Sequence, residues 1–234
     1  MIVEETFNNF DEFVDNLGYF APPDVENPLD LGPEGAPLSP RALPTDPATA
    51  CIVAVIDHAI PFAHHLLTCA LEDSGKHSGK HSGKHSGGHS RVAGIWMMDA
   101  PIVQRMPHIP FGQHLDGRQI DYLRGLDGGP VKRDAEALYR VLGLLDPASR
   151  SGQRMLRQYT HGAAVAGTAA GFDPHDASGR AHPLIGVSIP DWALADTSGA
   201  AMPMLMQAAV TYIILQARRV AHQLSKVAGR TVKP

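Results

Sequence analysis

The most informative segment of the sequence for the fold is Cys51-Ile-Val-Ala-Val-Ile-Asp57-His-Ala-Ile-Pro-Phe-Ala-His64. Its first six residues form an uninterrupted apolar run rich in β-branched side chains. Such a run is typical of a strand buried on both faces, as in a parallel sheet. Asp57 follows at the carboxyl end of this predicted strand. Because ligands and catalytic groups of open α/β sheets gather at that end of the strands, Asp57 is the first candidate site residue.

The remaining body alternates predicted strands with predicted helices. Residues 91–98 and 183–189 have strand-like patterns, and residues 99–158 are mixed apart from a helix predicted around 132–145. A helix of very small residues is predicted after His161, and a long apolar helix over 203–225. This alternation predicts an α/β fold of three layers, in which a mainly parallel sheet is flanked by helices.

Length and composition narrow the class of protein. The chain has 234 residues, of which 44% are hydrophobic and 19% charged, and its formal net charge is −4. This profile is typical of globular domains and shows no basic excess that would indicate a nucleic-acid partner. Two cysteines cannot form a disulfide framework. The N-terminus has neither the basic nor the apolar region of a signal peptide, which predicts a cytoplasmic location.

The first 49 residues form an acidic, proline-rich N-terminal extension. Residues 1–50 hold ten acidic residues and one basic residue, Arg41. Phe7, Phe10, Phe13 and Leu17 have helical spacing, so a short acidic helix is predicted over 1–18, and an extended, poorly structured segment over 21–49. The extension is interpreted either as a solvated tail or as an intramolecular cover or pro-segment for something downstream.

Residues 74–90 form a low-complexity insert. The four-residue unit SGKH occurs three times and is followed by SGGH. The glycine in each repeat disfavours a helix by about 1 kcal/mol, so a flexible surface loop is predicted. Transition-metal binding is the alternative, through the four histidines of the repeat, His77, His81, His85 and His89.

The long apolar helix requires a membrane test. Residues 197–217 contain no charged residue, and 21 residues are just enough to span a bilayer. Polar or helix-restricting residues interrupt this window, and much of it is alanine. A helix packed against the sheet is therefore predicted, and membrane contact is not.

A second segment brings a histidine to the start of the small-residue helix. It reads Thr160-His161-Gly-Ala-Ala-Val-Ala-Gly167-Thr168. Small residues allow such a helix to pack closely against the sheet, which fixes the position of the imidazole. A buried carboxylate beside a histidine is the arrangement that nucleophilic catalysis requires, since the carboxylate orients the ring and stabilises the imidazolium.

Together the two segments resemble the Asp and His motifs of the subtilisin-like serine proteases, or subtilases. That Asp motif is an apolar strand, Asp and a His seven residues later, as in Asp57 and His64. The His motif is commonly H-G-T-H-V-A-G-T, and residues 161–168 match six of its eight positions. The chain order, Asp before His, also agrees. Two positions depart from the family pattern, Ala59 in place of Gly and Ala164 in place of the second His.

The resemblance covers residues 50–171 and, more loosely, 182–230. It implies a serine endopeptidase that acts on a peptide or protein substrate. His161 would be the general base and then the general acid, and Asp57 would hold its ring. His64 would be a positional residue of the motif and His58 and His65 bystanders. No cofactor is predicted from the residues; the resemblance makes calcium a candidate, although no acidic loop has a clear ligand spacing.

The nucleophile does not follow from the sequence. The family carries it in a G-T-S-x-A-x-P motif, which the segment Asp196-Thr-Ser198-Gly-Ala-Ala-Met-Pro203 only approximates. Asp196 replaces the Gly, Pro203 is displaced by one position, and Ser198 lies only 37 residues after His161. Ser198 is therefore interpreted as a loop residue that caps the following helix.

We accordingly expect the Ser and the oxyanion Asn on a missing downstream segment. Residues 50–234 would then be the N-terminal portion of a subtilisin-like peptidase domain, incomplete in this chain and inactive alone, with the C-terminal remainder as its partner. The alternative is a non-catalytic binding or regulatory module that retains half of a protease fold.

Overall fold

The structure is a computed structural model that describes residues 36–44, 46–70, 88–101, 109–126, 128–129, 134–144, 160–229 and 231–232. Its strands are β1 (Val53–Asp57), β2 (Thr68–Cys69), β3 (His89–Ser90), β4 (Val92–Met97), β5 (Gln113–Asp116) and β6 (Leu184–Ser188). Its α-helices are α1 (Gly117–Leu123), α2 (Ala135–Val141), α3 (His161–Ala170), α4 (Asp191–Ala195) and α5 (Met202–Ala228). Short 3₁₀ turns occupy Pro40–Ala42, Pro47–Thr49, His65–Leu67 and Ala177–Ala181.

The main sheet has four strands in the order β1-β6-β4-β5. β1 and β4 both pair with β6 in parallel, whereas β5 pairs with β4 in the antiparallel sense. Asp57 lies opposite Ser188, which lies opposite Met97, so the three parallel strands end at one edge. The predicted α/β fold with a mainly parallel sheet is confirmed at this level. β2 and β3 form a separate antiparallel pair.

Helices cover both faces of the sheet. One apolar cluster joins Val55 and Leu184 of the sheet to residues of α1, α2 and α3. The other joins Ile185 and Val187 to α4 and α5. Because successive side chains of a strand point to opposite faces, β6 contributes to both clusters.

β1 differs from its prediction in its burial. The strand forms where the apolar run predicted it, but only Val55 is buried and Ala54 is exposed. The reason is position, because β1 has β6 as its one neighbour in the described sheet. β4 and β6, with neighbours on both sides, are buried along their whole length.

The long predicted helix is confirmed as the 27-residue α5. It crosses the sheet closely at Gly94, where a Cβ would lie 2.9 Å from the Tyr212 hydroxyl. The same hydroxyl is 2.7 Å from His114 Nδ1 on β5. No helix in the described part of the chain combines the length and hydropathy needed to cross a membrane.

Two segments are more ordered than the sequence predicted. The part of the proline-rich extension that is described forms two 3₁₀ turns and buries Leu38 and Ala42 in the cluster with α5. This segment is not simply extended, because Leu38 and Ala42 are buried against the cluster that includes α5. The end of the repeat insert is likewise buried, since His89 lies in β3 and its Nδ1 donates to Asp121 at 2.8 Å. Residues 74–87 of the insert lie outside the described residues.

Arg91 connects the ends of several loops and helices from inside the protein. Its side chain is 1% exposed and lies over the ring of Phe172 at 5.1 Å. Burial lowers the pKa of Arg91, yet a guanidinium remains charged at neutral pH. Its nitrogens donate to the carbonyl oxygens of Leu66, Thr68, Ala170, Gly179 and His182 at 2.6–3.4 Å.

Replacing Arg91 should therefore destabilise the fold strongly. We expect Arg91→Met to lower the free energy of unfolding by about 3 kcal/mol or more, since it leaves buried carbonyl groups unpaired. Urea unfolding followed by circular dichroism measures the loss. Arg140→Met is the control and should cost about 0.5 kcal/mol, because among the described residues the Arg140 side chain pairs with exposed Glu136 alone. Equal losses in the two variants would contradict the role assigned to Arg91.

Candidate active site

The structure brings the two predicted site residues together. Asp57 ends β1 and His161 opens α3, 104 residues later. His161 Nδ1 lies 2.9 Å from Asp57 Oδ1 and 2.8 Å from Oδ2, so its N–H donates to the carboxylate. The Asp57 side chain is 11% exposed, whereas that of His161 is 78% exposed. The carboxylate is thus held inside the protein while the ring is open to solvent.

This geometry leaves the second ring nitrogen of His161 as the reactive one. Donation from Nδ1 to Asp57 places the lone pair of the neutral ring on Nε2. Among the described residues no hydrogen bond to His161 Nε2 occurs. The pair can therefore accept a proton at Nε2 from a group outside these residues, while Asp57 stabilises the imidazolium that results.

The first turn of α3 is held against the turn that follows β1. Thr160 caps the helix, since its hydroxyl accepts from Ala163 N at 2.9 Å and donates to Ala59 O at 2.8 Å. At Gly162 a Cβ would lie well inside van der Waals contact of the His58 carbonyl oxygen. Only glycine permits this approach, which places His161 within reach of Asp57.

The turn after β1 has an unusual backbone. Ala59 has φ 49°, the one positive φ of a described residue other than glycine. This conformation costs an L-residue roughly 1–2 kcal/mol. Glycine would adopt this conformation without that cost. The Ser188 hydroxyl at the end of β6 accepts from Ala59 N at 3.0 Å and supports the strained turn.

A second carboxylate–histidine pair lies beside the first, and sequence reasoning missed it. The backbone N of His58 donates to Asp57 Oδ1 at 2.7 Å, and its buried ring contacts Asp191 through Nε2. His58 therefore has a structural role, because it ties the turn after β1 to the start of α4; that it takes no part in catalysis stays a prediction. The available signal was that Asp191 follows the predicted strand 183–189, as Asp57 follows β1.

His64, which the resemblance makes a positional residue of the motif, caps a short turn in the structure. Its Nδ1 accepts from Leu66 N at 3.3 Å and caps the 3₁₀ turn His65–Leu67. Burial, and to a smaller extent the charge of His65, lower the pKa of His64. His64 also lines a cavity of about 280 Å³ between this turn and α3, along with Leu66 and Ala164.

Ser198 is occupied in a local turn. Its hydroxyl donates to Asp196 Oδ2 at 2.9 Å, and its backbone N donates to Asp196 Oδ1 at 2.9 Å. Its oxygen also accepts from Ala200 N at 3.2 Å. The expected cap of the following helix is absent, because α5 begins after Ala201 without a side-chain cap.

Comparison of this chain with known proteins found no relative. No family model, no curated protein and no solved structure matches the sequence or the fold. Within the described residues, no group of three or more His, Cys, Asp or Glu side chains is arranged to hold a metal ion. The first three histidines of the repeat are not among those residues.

Two glycines of α3 provide a matched test of the close approach. We expect Gly162→Ala to lower the free energy of unfolding by about 1–3 kcal/mol, because its Cβ would displace the helix from the His58 carbonyl. Gly167→Ala should instead raise it by about 0.5–1 kcal/mol, because a Cβ there meets nothing within 4 Å. Thermal unfolding measures both. A similar effect of the two substitutions would show that close packing at Gly162 does not position α3.

The Asp57–His161 hydrogen bond can be tested by the tautomer of the ring. In the unmodified chain, neutral His161 should carry its proton on Nδ1, because the carboxylate accepts it there. Asp57→Asn should abolish this preference, since an amide can present either an oxygen or an NH₂ group to the ring. Long-range ¹H–¹⁵N correlation spectra distinguish the tautomers. An unchanged tautomer in Asp57→Asn would exclude Asp57 as the orienting group.

Proposed function

We propose that this chain carries the acid–base half of a serine endopeptidase of the subtilisin-like class. The observation that carries the proposal is the two-oxygen contact of Asp57 with His161 Nδ1, which leaves Nε2 open to solvent. The resemblance of residues 50–171 to the family's Asp and His motifs supports the same assignment. So does the placement of the pair at the carboxyl edge of a mainly parallel sheet.

In this function His161 Nε2 takes the proton of a serine hydroxyl as the serine oxygen attacks a peptide carbonyl carbon. The same proton then passes to the leaving amine, and water repeats the sequence to release the acyl group. Asp57 keeps the ring in the required tautomer and stabilises its protonated form. Donors to the oxyanion complete such a site, and loss of one typically costs ~10²–10³ in rate.

The proposal assigns the serine and the oxyanion donors to polypeptide outside the described residues. Ser198 is unsuitable because its hydroxyl already donates to Asp196, and none of the described hydroxyl groups is bonded to His161. Without that serine and those donors, the described residues by themselves should not hydrolyse peptides.

One observation favours a second candidate function. The same engagement of Ser198 with Asp196 also fits a non-catalytic module that keeps the protease half-site as a binding surface. The coding sequence beyond Pro234 separates the two functions. An in-frame segment with an Asn-bearing strand and a G-T-S-x-A-x-P motif supports the peptidase, whereas a stop codon favours the module.

A fluorophosphonate probe, which labels activated serines, tests the chemistry directly. We expect no labelling of the 234-residue chain above that of His161→Ala. In a chain extended to include the downstream serine, labelling should appear and fall by ~10⁴ in rate in Asp57→Asn, because the ring loses its tautomer. Labelling of the 234-residue chain that Ser198→Ala abolishes would instead identify Ser198 as the nucleophile. Extended protein that remains unlabelled would overturn the proposed peptidase.

A further inference from the structure

The repeat insert ends in a part of the chain that the structure describes. Each of its four units ends in a histidine that a serine follows, so four His-Ser pairs precede β4. The fourth pair, His89-Ser90, is the one that forms β3. β3 and its partner β2 are two residues long, and the register of glycine-rich strands is weakly specified. A contact other than strand pairing must therefore select the fourth pair.

A buried seat holds the end of the fourth unit. The Asp121 carboxylate of α1 accepts from His89 Nδ1 and from Ser90 N, both at 2.8 Å. Arg124, which follows α1, donates from Nη1 to the carbonyl oxygen of Gly88 at 2.8 Å. His89 is 1% exposed and Ser90 is fully buried. The seat therefore encloses both the backbone and the imidazole of this unit.

The residue before the histidine distinguishes the fourth unit from the other three. It is Gly88 in the fourth unit and a lysine in the first three, at positions 76, 80 and 84. In the seat, a Cβ at position 88 would lie 2.0 Å from the carbonyl oxygen of Cys69, which belongs to the backbone of β2. Because packed interiors leave no room for such an overlap, the backbone itself would have to move. Glycine therefore fits the seat and lysine does not.

We propose that Gly88-His89-Ser90 is the anchor of the repeat insert, and that the lysine of each earlier unit excludes that unit from the seat. All four His-Ser pairs offer the same imidazole and backbone groups, so the hydrogen bonds of Asp121 and Arg124 do not distinguish them. The steric contact with the Cys69 carbonyl supplies the difference. The one departure from the SGKH pattern thereby sets the register of an otherwise repetitive segment.

The anchor also separates the four histidines of the repeat by their chemistry. The seated His89 presents no ring nitrogen to solvent, because Nδ1 donates to Asp121 and Nε2 is buried. It therefore cannot ligate a metal ion without leaving the seat. A transition metal bound through the repeat would engage the histidines of the first three units, while His89 keeps a structural role.

Diethyl pyrocarbonate, which acylates solvent-exposed imidazole nitrogens, tests the anchor in the full chain. We expect His89 to react at least about tenfold more slowly than the exposed His222, with peptide mass spectrometry locating the modified residues. Gly88→Lys restores the repeat pattern and should remove this protection, because the lysine Cβ collides with the Cys69 carbonyl. Gly83→Lys places the same substitution in the third unit and is the matched control, which should leave His89 protected.

His114 separates local release of the anchor from general unfolding. It lies in β5 and is 1% exposed, so it should stay protected while His89 becomes reactive. If Gly88→Lys exposes both histidines, Gly88→Ala decides the question, since it adds the Cβ alone and must expose His89 while His114 remains protected. Equal reactivity of His89 and His222 in the unmodified chain would overturn the proposal. So would continued protection of His89 in both variants at position 88, or its loss in Gly83→Lys.

Discussion

The candidate site depends on one close approach, that of the first turn of α3 to the backbone after β1. Gly162 has no side chain to separate the helix from the His58 carbonyl, and the Thr160 hydroxyl bridges the helix N-terminus to Ala59 O. Sequence positions 104 residues apart are joined there with little freedom of adjustment. Because contact between the two backbones sets the distance between His161 and Asp57, the imidazole has a defined position although it is exposed.

Other parts of the structure hold the two sides of that contact in place. The strained turn at Ala59 is supported by Ser188, and it is tied to α4 by the contact of His58 with Asp191. The far end of α3 is held by Arg91, which donates to the Ala170 carbonyl oxygen as one of its five acceptors. A positive charge near the C-terminus of a helix also interacts favourably with the helix dipole. Both ends of α3 are therefore fixed, one by sterics and one by a buried cation.

Much of this architecture could be predicted from the sequence because local patterns report local structure. The apolar runs predicted β1, β4 and β6, and the small-residue and long apolar patterns predicted α3 and α5. β5 and α1 were missed within a segment read as mixed. The capping box of Asp116 and Gln119 was a local signal for α1. The roles of Arg91 and His58 could not be predicted, since their partners lie up to 133 residues away.

Strand and helix periodicity and motif order are properties of neighbouring residues. The α/β alternation and the candidate pair of Asp57 and His161 could therefore be predicted from the sequence. The three-dimensional fold was needed to show that the two side chains meet, and that β1 lies at an edge of the described sheet with Ala54 exposed. It also decided that His58 pairs with Asp191 and that Ser198 bonds to Asp196. The physical reason is that strand order and helix packing set distances between remote residues, and no local pattern encodes them.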